Sequence, residues 1–340
     1  MFSKTYLRLN QFTLVFIFLV VIAGSFVRIS GSGMGCPDWP KCFGQVIPPT
    51  SDENLPKNYK EIYAEKREKK ILKFANFLEK IGFSKEAEEL RTNKSLLIED
   101  EFNARKTWTE YINRLFGVLA GFGVLFIFVG ALRKYRKRRI VILSTVNLVV
   151  LVIQAWFGSI VVATKLVPWT ITVHMFLALL IIVIQIQLIY EIQKNRKDQR
   201  VLQRFQLTKA MKWIIWSAFI ITFVQMFLGT QVRELVDTLR DKKISREHWN
   251  DNFNMTFFIH RSFSWLVLIT LTILAWLNYK NKQYRFIYIS FVVLVLELIS
   301  GVLLAYADMP GLVQTSHLLF ACILFGTLYY TVLKFEKNRF

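Results

Sequence analysis

A chain of 340 residues that is 54% hydrophobic and 15% aromatic is too apolar for a soluble domain of this size. Its formal net charge of +20 has a topological explanation before a nucleic-acid one, because basic residues mark the cytoplasmic loops of polytopic membrane proteins. The composition therefore sets aside a soluble enzyme and a nucleic-acid binder, and makes the lipid bilayer the first partner.

Eight apolar runs approach the ~20 residues that a bilayer demands. In chain order they are Gln11–Ile29, Trp108–Leu132, Ile140–Val162, Trp169–Tyr190, Trp213–Val232, Phe253–Asn278, Phe286–Ala305 and Leu312–Leu333. The first lacks a clean small-residue cleavage site and reads as a retained helix. A long connection, about 31–107, follows it. There Cys36 and Cys42 stand in "GCPDWPKCFG", a disulfide or redox-active pair if that side is oxidising; a zinc site would lack a second ligand pair nearby. Further along, Ile62, Leu72, Phe74, Phe77, Leu78 and Ile81 recur at near-helical spacing. They predict one or two amphipathic helices within Tyr59–Arg91, a solvated lid or spacer, with partner docking or anionic lipid as secondary roles.

The short connections orient the chain. "RKYRKRR" (Arg133–Arg139) has six basic residues and no acid, Glu191–Lys212 has seven basic residues, and "NYKNKQYR" and "KFEKNRF" have three each. On the other side, "ATKLVP" has one Lys, "YADMP" has none, and Arg233–Asn252 offsets five basic residues with five acids. Both termini are thus expected in the cytoplasm, with the protein in the cytoplasmic (inner) membrane and the long connection outside.

Self-similarity organises the spans. "GSFVR" (Gly24–Arg28) closes the first and "GTQVR" (Gly229–Arg233) the fifth; "EYINR" opens the second and "FFIHR" the sixth. Gly158 to His174 and Gly301 to His317 are both sixteen positions, with a Pro in each turn. The expected fold is an all-α integral membrane protein of eight transmembrane helices, built as two tandem four-helix bundles. The N-terminal half is 1–192, the C-terminal half is 213–333, and a basic cytoplasmic linker, 193–212, joins them.

Asn113, His174, His260 and His317 all fall about 7–11 Å below the outer edge at ~1.5 Å per residue. Intramembrane ionisable residues are functional hypotheses by default. Two facing histidines on separate helices suit bis-imidazole ligation of haem iron. Arg28, Arg114, Arg233 and Arg261 lie near the same end and suit anionic propionates, while Gly158 and Gly301 would let a flat macrocycle approach the backbone. The bland alternative is interhelical hydrogen bonding in a packed bundle. His248 reads as a loop residue, and Cys322 as a small buried hydrophobe.

"RISGSGMGCPDWPKCFGQVIPP", "EYINR", His174 after "VPWTIT", "FIHR" and His317 in the eighth span together resemble haem A synthases, over nearly the whole chain apart from roughly Ser51–Phe102. The resemblance implies oxidation of the C8 methyl of haem O to a formyl group through a hydroxylated intermediate, in support of cytochrome oxidase assembly. It also implies haem b on His260 and His317, substrate haem on His174, a catalytic Glu110, and the outer cysteine pair Cys36 and Cys42. Electrons would come from a quinol or a redox protein, and haem O synthase or cytochrome oxidase assembly factors would be further partners.

The departure is Asn113, where the family pattern Glu-x-x-His-Arg has histidine. Three readings follow. Substrate haem is held by His174 alone with an open face, on which Asn113 orients bound water; Asn113 only hydrogen-bonds a neighbour; or this copy is inactive. Glu110 alone reads as a helix-capping acid; one turn before Asn113, it would reach the same haem edge. The competing function classes are a membrane b-type cytochrome exchanging electrons with quinol, and a non-catalytic cytochrome oxidase assembly factor. A transporter is disfavoured because the polar residues crowd one edge rather than the midplane. A prenyltransferase would need a second Asp-rich motif beside Asp237–Asp241.

Overall fold

The computed structural model describes residues 2–196, 209–281 and 284–336. Most of the basic 193–212 linker, two residues of "NYKNKQYR" and the last four of the tail lie outside the described residues. Among the described residues the α-helices are α1 Lys4–Ile29, α2 Tyr59–Lys80, α3 Ser84–Thr92, α4 Ala104–Gly130, α5 Arg138–Ala163, α6 Pro168–Asn195, α7 Lys209–Asp241, α8 Met255–Asn281, α9 Arg285–Tyr306 and α10 Gly311–Glu336. Their only β pairing is an isolated bridge between Cys42 and Gln45. Eight helices, α1 and α4 to α10, are long and apolar enough to cross a membrane. The protein is an all-α, multi-pass membrane protein.

The helices overrun the apolar runs that announced them. α1 begins at Lys4 because the Ser3 hydroxyl accepts from the Tyr6 amide at 3.1 Å, and α4 begins at Ala104 because Asn103 accepts from Lys106. α7 continues to Asp241, well past Val232. Arg233 and Arg240 pair with Asp237 at i,i+4 and i,i+3, which supports turns that leave the apolar stretch. Asp237 is therefore helical, not part of the loop that hydropathy assigns to it.

In the first half α1 packs against α4 and α6, and α5 packs against the same two helices. In the second half α7 and α9 each pack against α8 and α10. Each half is thus a ring of four in which α4 stands diagonally from α6, and α8 from α10. The helices bearing Asn113 and His174, or His260 and His317, do not pack as neighbours.

The halves meet where α10 lies against α1 and α6, and where α6 meets α7. Phe176 and Phe223 approach to 5.1 Å between ring centroids. A methyl on Gly326 would stand 3.0 Å from Ile186, so that glycine sets the close approach of α10 to α6. Tyr329 donates to Gln187 at 2.9 Å, and Ser25 lies 3.1 Å from Thr315. Within the first half, Asn147 donates to Gln185, which donates to Asn10, joining α5, α6 and α1 where hydrocarbon leaves polar groups no other partner.

Of the lid or spacer expected between α1 and α4, the structure has a cap docked on the first half. Gly82, at φ +92°, turns the chain between α2 and α3. Ile71, Phe74, Leu78, Leu90 and Leu96 form one buried cluster with Phe157, Ile160, Val161 and Val167 of the first half. Arg67, almost fully buried, holds both carboxylate oxygens of Glu99 at 2.7 and 2.8 Å and also donates to the Val162 carbonyl. A bidentate buried pair of this kind fixes geometry as well as charge.

Candidate functional site

The four residues singled out by the repeat share one local architecture. A methyl on Gly158 of α5 would stand 3.1 Å from Cε1 of His174 on α6. On Gly301 of α9 it would stand 3.3 Å from Cε1 of His317 on α10, and on Gly229 of α7, 3.2 Å from Cε1 of His260 on α8. On Gly24 of α1 it would stand 3.7 Å from Oδ1 of Asn113 on α4. Each glycine makes room for the side chain on the adjacent helix. Gly158 and Gly301 each have an imidazole edge against them.

In the second half His260 and His317 stand on the diagonal helices α8 and α10. His260 Nδ1 is buried without a hydrogen-bond partner, and Gln225 of α7 holds the His260 carbonyl at 3.0 Å. A buried ring nitrogen left unsatisfied is costly unless something binds the ring. His317 is oriented by α9: its Nδ1 lies 2.9 Å from Ser300 Oγ, 3.2 Å from the Glu297 carbonyl and 3.3 Å from Glu297 Oε1.

The first half repeats the frame with different chemistry. The Gln154 amide nitrogen lies 3.2 Å from His174 Nε2, and His174 Nδ1 is buried without a partner. Phe157 stacks on His174 at 6.5 Å, and Phe74 of the cap packs on Phe157 at 6.1 Å. Asn113 Oδ1 is buried without a hydrogen-bond partner among the described residues. Two diagonal imidazoles, each facing a glycine and one with a buried ring nitrogen without a partner, fit a haem iron in the second half. The first half offers one imidazole and an unpaired amide oxygen.

Glu110 is not a capping acid, because α4 begins six residues before it. It is buried at 3% exposure. Its Oε2 accepts the Cys36 amide at 2.9 Å, and its Oε1 accepts Arg114 at 2.5 Å. Arg114 also donates to the carbonyls of Asp38 at 2.7 Å, Lys41 at 2.9 Å and Cys36 at 3.3 Å. These bonds clamp the loop closed by the Cys36–Cys42 disulfide onto α4.

The four arginines expected as one cluster are split among three places. Arg28 and Arg233 converge on Asp237, with Arg240 on the same carboxylate; Arg233 also bonds Gln314. Arg114 is committed to the loop. Arg261 is exposed and lies 5.2 Å from the Phe258 ring. The division follows from Asp237, a buried acid that draws the guanidinium groups nearest it. His248 is an exposed loop residue 3.5 Å from Asp251, and Cys322 is a buried free thiol.

Sequence reasoning missed Glu297, Ser300, Gln154 and Asp237. Glu297 did carry a signal: it is the lone charge in the run Phe286–Ala305. Gln154 and Glu297 also occupy the same place, one turn before Gly158 and Gly301.

The family model described as COX15-CtaA, cytochrome oxidase assembly protein, matches residues 8–329. A haem A synthase of Wolbachia pipientis wMel is 25% identical over 349 aligned residues, covering 95% of this chain and 91% of that protein. That of Wolbachia pipientis subsp. Culex pipiens (strain wPip) is 26% identical, covering 93% of each. That of Bacillus mycoides KBAB4 is 24% identical, covering 93% of this chain and 88% of that protein.

Proposed function

The chain belongs to the COX15-CtaA family of cytochrome oxidase assembly proteins, and on that premise we propose that it is a haem A synthase. It oxidises the C8 methyl of haem O to a formyl group through a hydroxylated intermediate. The reading is carried by one observation: His260 and His317 on diagonal helices, each facing a glycine, are mirrored in the other half by Asn113 and His174 in the same frame.

Residues 213–333 form the cofactor half, where His260 and His317 would hold haem b. Bound there, haem b supplies one-electron chemistry between an external donor, a quinol or a redox protein, and the oxidised substrate. Residues 1–192 form the substrate half, where His174 orients haem O. Asn113 would supply no second imidazole there, and its buried Oδ1 could accept a hydrogen bond from water. Glu110, through Arg114 and the Cys36 amide, fixes the disulfide loop over this half, and the α2–α3 cap excludes bulk water. Arg261 is the arginine least committed elsewhere and pairs with a propionate. The basic short connections favour an orientation with both termini in the cytoplasm and the cap outside the cytoplasmic membrane.

A b-type electron-transfer cytochrome gives no reason for a half in which one imidazole is replaced and a cap covers the other. Expression with a haem O supply, followed by chromatography of extracted haems, tests the reading. The wild type yields haem A or its hydroxylated precursor, whereas His174→Ala and Glu110→Ala yield haem O while haem b stays bound. Unconverted haem O in the wild type would reject the assignment.

A further inference from the structure

Glu297 is a carboxyl group in the middle of an otherwise uncharged span, its side chain only 15% exposed. Burying it there is expensive, and none of the roles assigned above uses it. Its surroundings fix the chemistry of His317. The Glu297 carbonyl oxygen, 3.2 Å from His317 Nδ1, can only accept a hydrogen bond, so Nδ1 carries the proton. Ser300 Oγ donates to that same carbonyl at 2.8 Å and so presents a lone pair to Nδ1 at 2.9 Å. Glu297 Oε1 lies 3.3 Å from the same Nδ1 without being aligned to accept its proton, and Oε2 is buried without a partner among the described residues. Two acceptors around one N–H, with a carboxyl oxygen beside them, set the tautomer whose free lone pair is on Nε2.

The repeat-related residue behaves in the opposite way. Gln154 presents an amide nitrogen, a donor, to Nε2 of His174, and so engages the lone pair that Glu297 leaves free in His317.

We propose that Glu297, with Ser300, is the positioning residue of the cofactor half: it holds His317 with Nε2 toward the iron and strengthens that imidazole as a ligand. Acceptors that hold the second nitrogen of a ligand histidine raise its basicity and fix its rotation. A stronger donor favours the oxidised iron, so this contact lowers the midpoint potential of the haem in the second half. In the first half the neutral Gln154 competes for the ligating nitrogen, which suits a haem that must leave as product. The same frame thus holds a resident haem in one half and an exchangeable one in the other, through one position. The inference rests on the haem A synthase reading for the identity of the two haems.

The test is redox titration and low-temperature EPR of the purified full-length protein, in wild type, Glu297→Gln and Ser300→Ala. Both variants keep the side-chain volume close to native. The expected result is haem b retained at wild-type stoichiometry, with a midpoint potential raised in both variants and more in Glu297→Gln, and altered low-spin g values. Potentials and g values identical to wild type in both variants would overturn the proposal, whatever the conversion of haem O. A wild type that binds haem b normally but makes no haem A would defeat the synthase reading and leave the Glu297 contact measurable by the same titration.

Discussion

Asn113 occupies the place of an imidazole yet keeps the glycine that imidazoles require. Gly24 leaves 3.7 Å to Asn113 Oδ1, against 3.1–3.3 Å at the three histidines. The room for a ring therefore remains, and Asn113→His is expected to fold and to add a second low-spin haem signal, read by EPR of protein loaded with haem O. An unchanged spectrum would mean that the two helices do not face one porphyrin. Gln154 makes a second residue-scale prediction. Its bond to His174 Nε2 must break before ligation, at a cost of about 1 kcal/mol. Gln154→Leu should therefore retain haem O about fivefold more tightly, measured as haem O per protein after detergent washing.

At the scale of elements, helix-on-helix spacing sets the site. α7 and α9 approach α8 and α10 closely enough that the glycines nearly touch the imidazoles. Gly301→Ala or Gly229→Ala pushes the ring or the helix by a few tenths of an ångström. Either is expected to lower haem b stoichiometry, read from the pyridine haemochrome, while Gly24→Ala changes little. The cap is the other element with a direct line to the site, because Phe74 packs on Phe157 and Phe157 on His174. Phe74→Ala removes a buried aromatic at about 3–5 kcal/mol. The cap should then be cut by protease at lower concentration, and substrate retention should fall, with haem b unaffected. Equal loss of both haems would show that the cap does not act on the first half alone.

Across the whole molecule, one carboxylate ties the halves together. Asp237 of α7 holds Arg28 of α1, and Arg240 reaches the Arg28 carbonyl at 3.2 Å. With a side chain 10% exposed, Asp237 sits among three guanidinium groups. Asp237→Asn leaves those charges uncompensated, a loss on the order of 3–5 kcal/mol. It is expected to lower the thermal midpoint in detergent and to weaken both haem sites together. Charge reversal at Arg28 alone should do the same if the bridge between halves is what matters.

Much of this was legible in the residues themselves. Hydropathy sets the number and order of the membrane helices, because a bilayer leaves the backbone no alternative to internal hydrogen bonding. The spacing of Gly158 to His174 and Gly301 to His317 announces the repeated frame in which each histidine faces a glycine. Cys36 and Cys42, close in sequence, are close in space. Three-dimensional packing alone decided the partners of each polar group. Glu110 reaches Cys36 across 74 positions, Arg28 reaches Asp237 across 209, and Phe74 reaches Phe157 through the cap. No periodicity encodes such distances: a side chain in a low-dielectric interior bonds whichever complementary group the fold brings within 3 Å, and that choice belongs to the assembled bundle, not to any one helix.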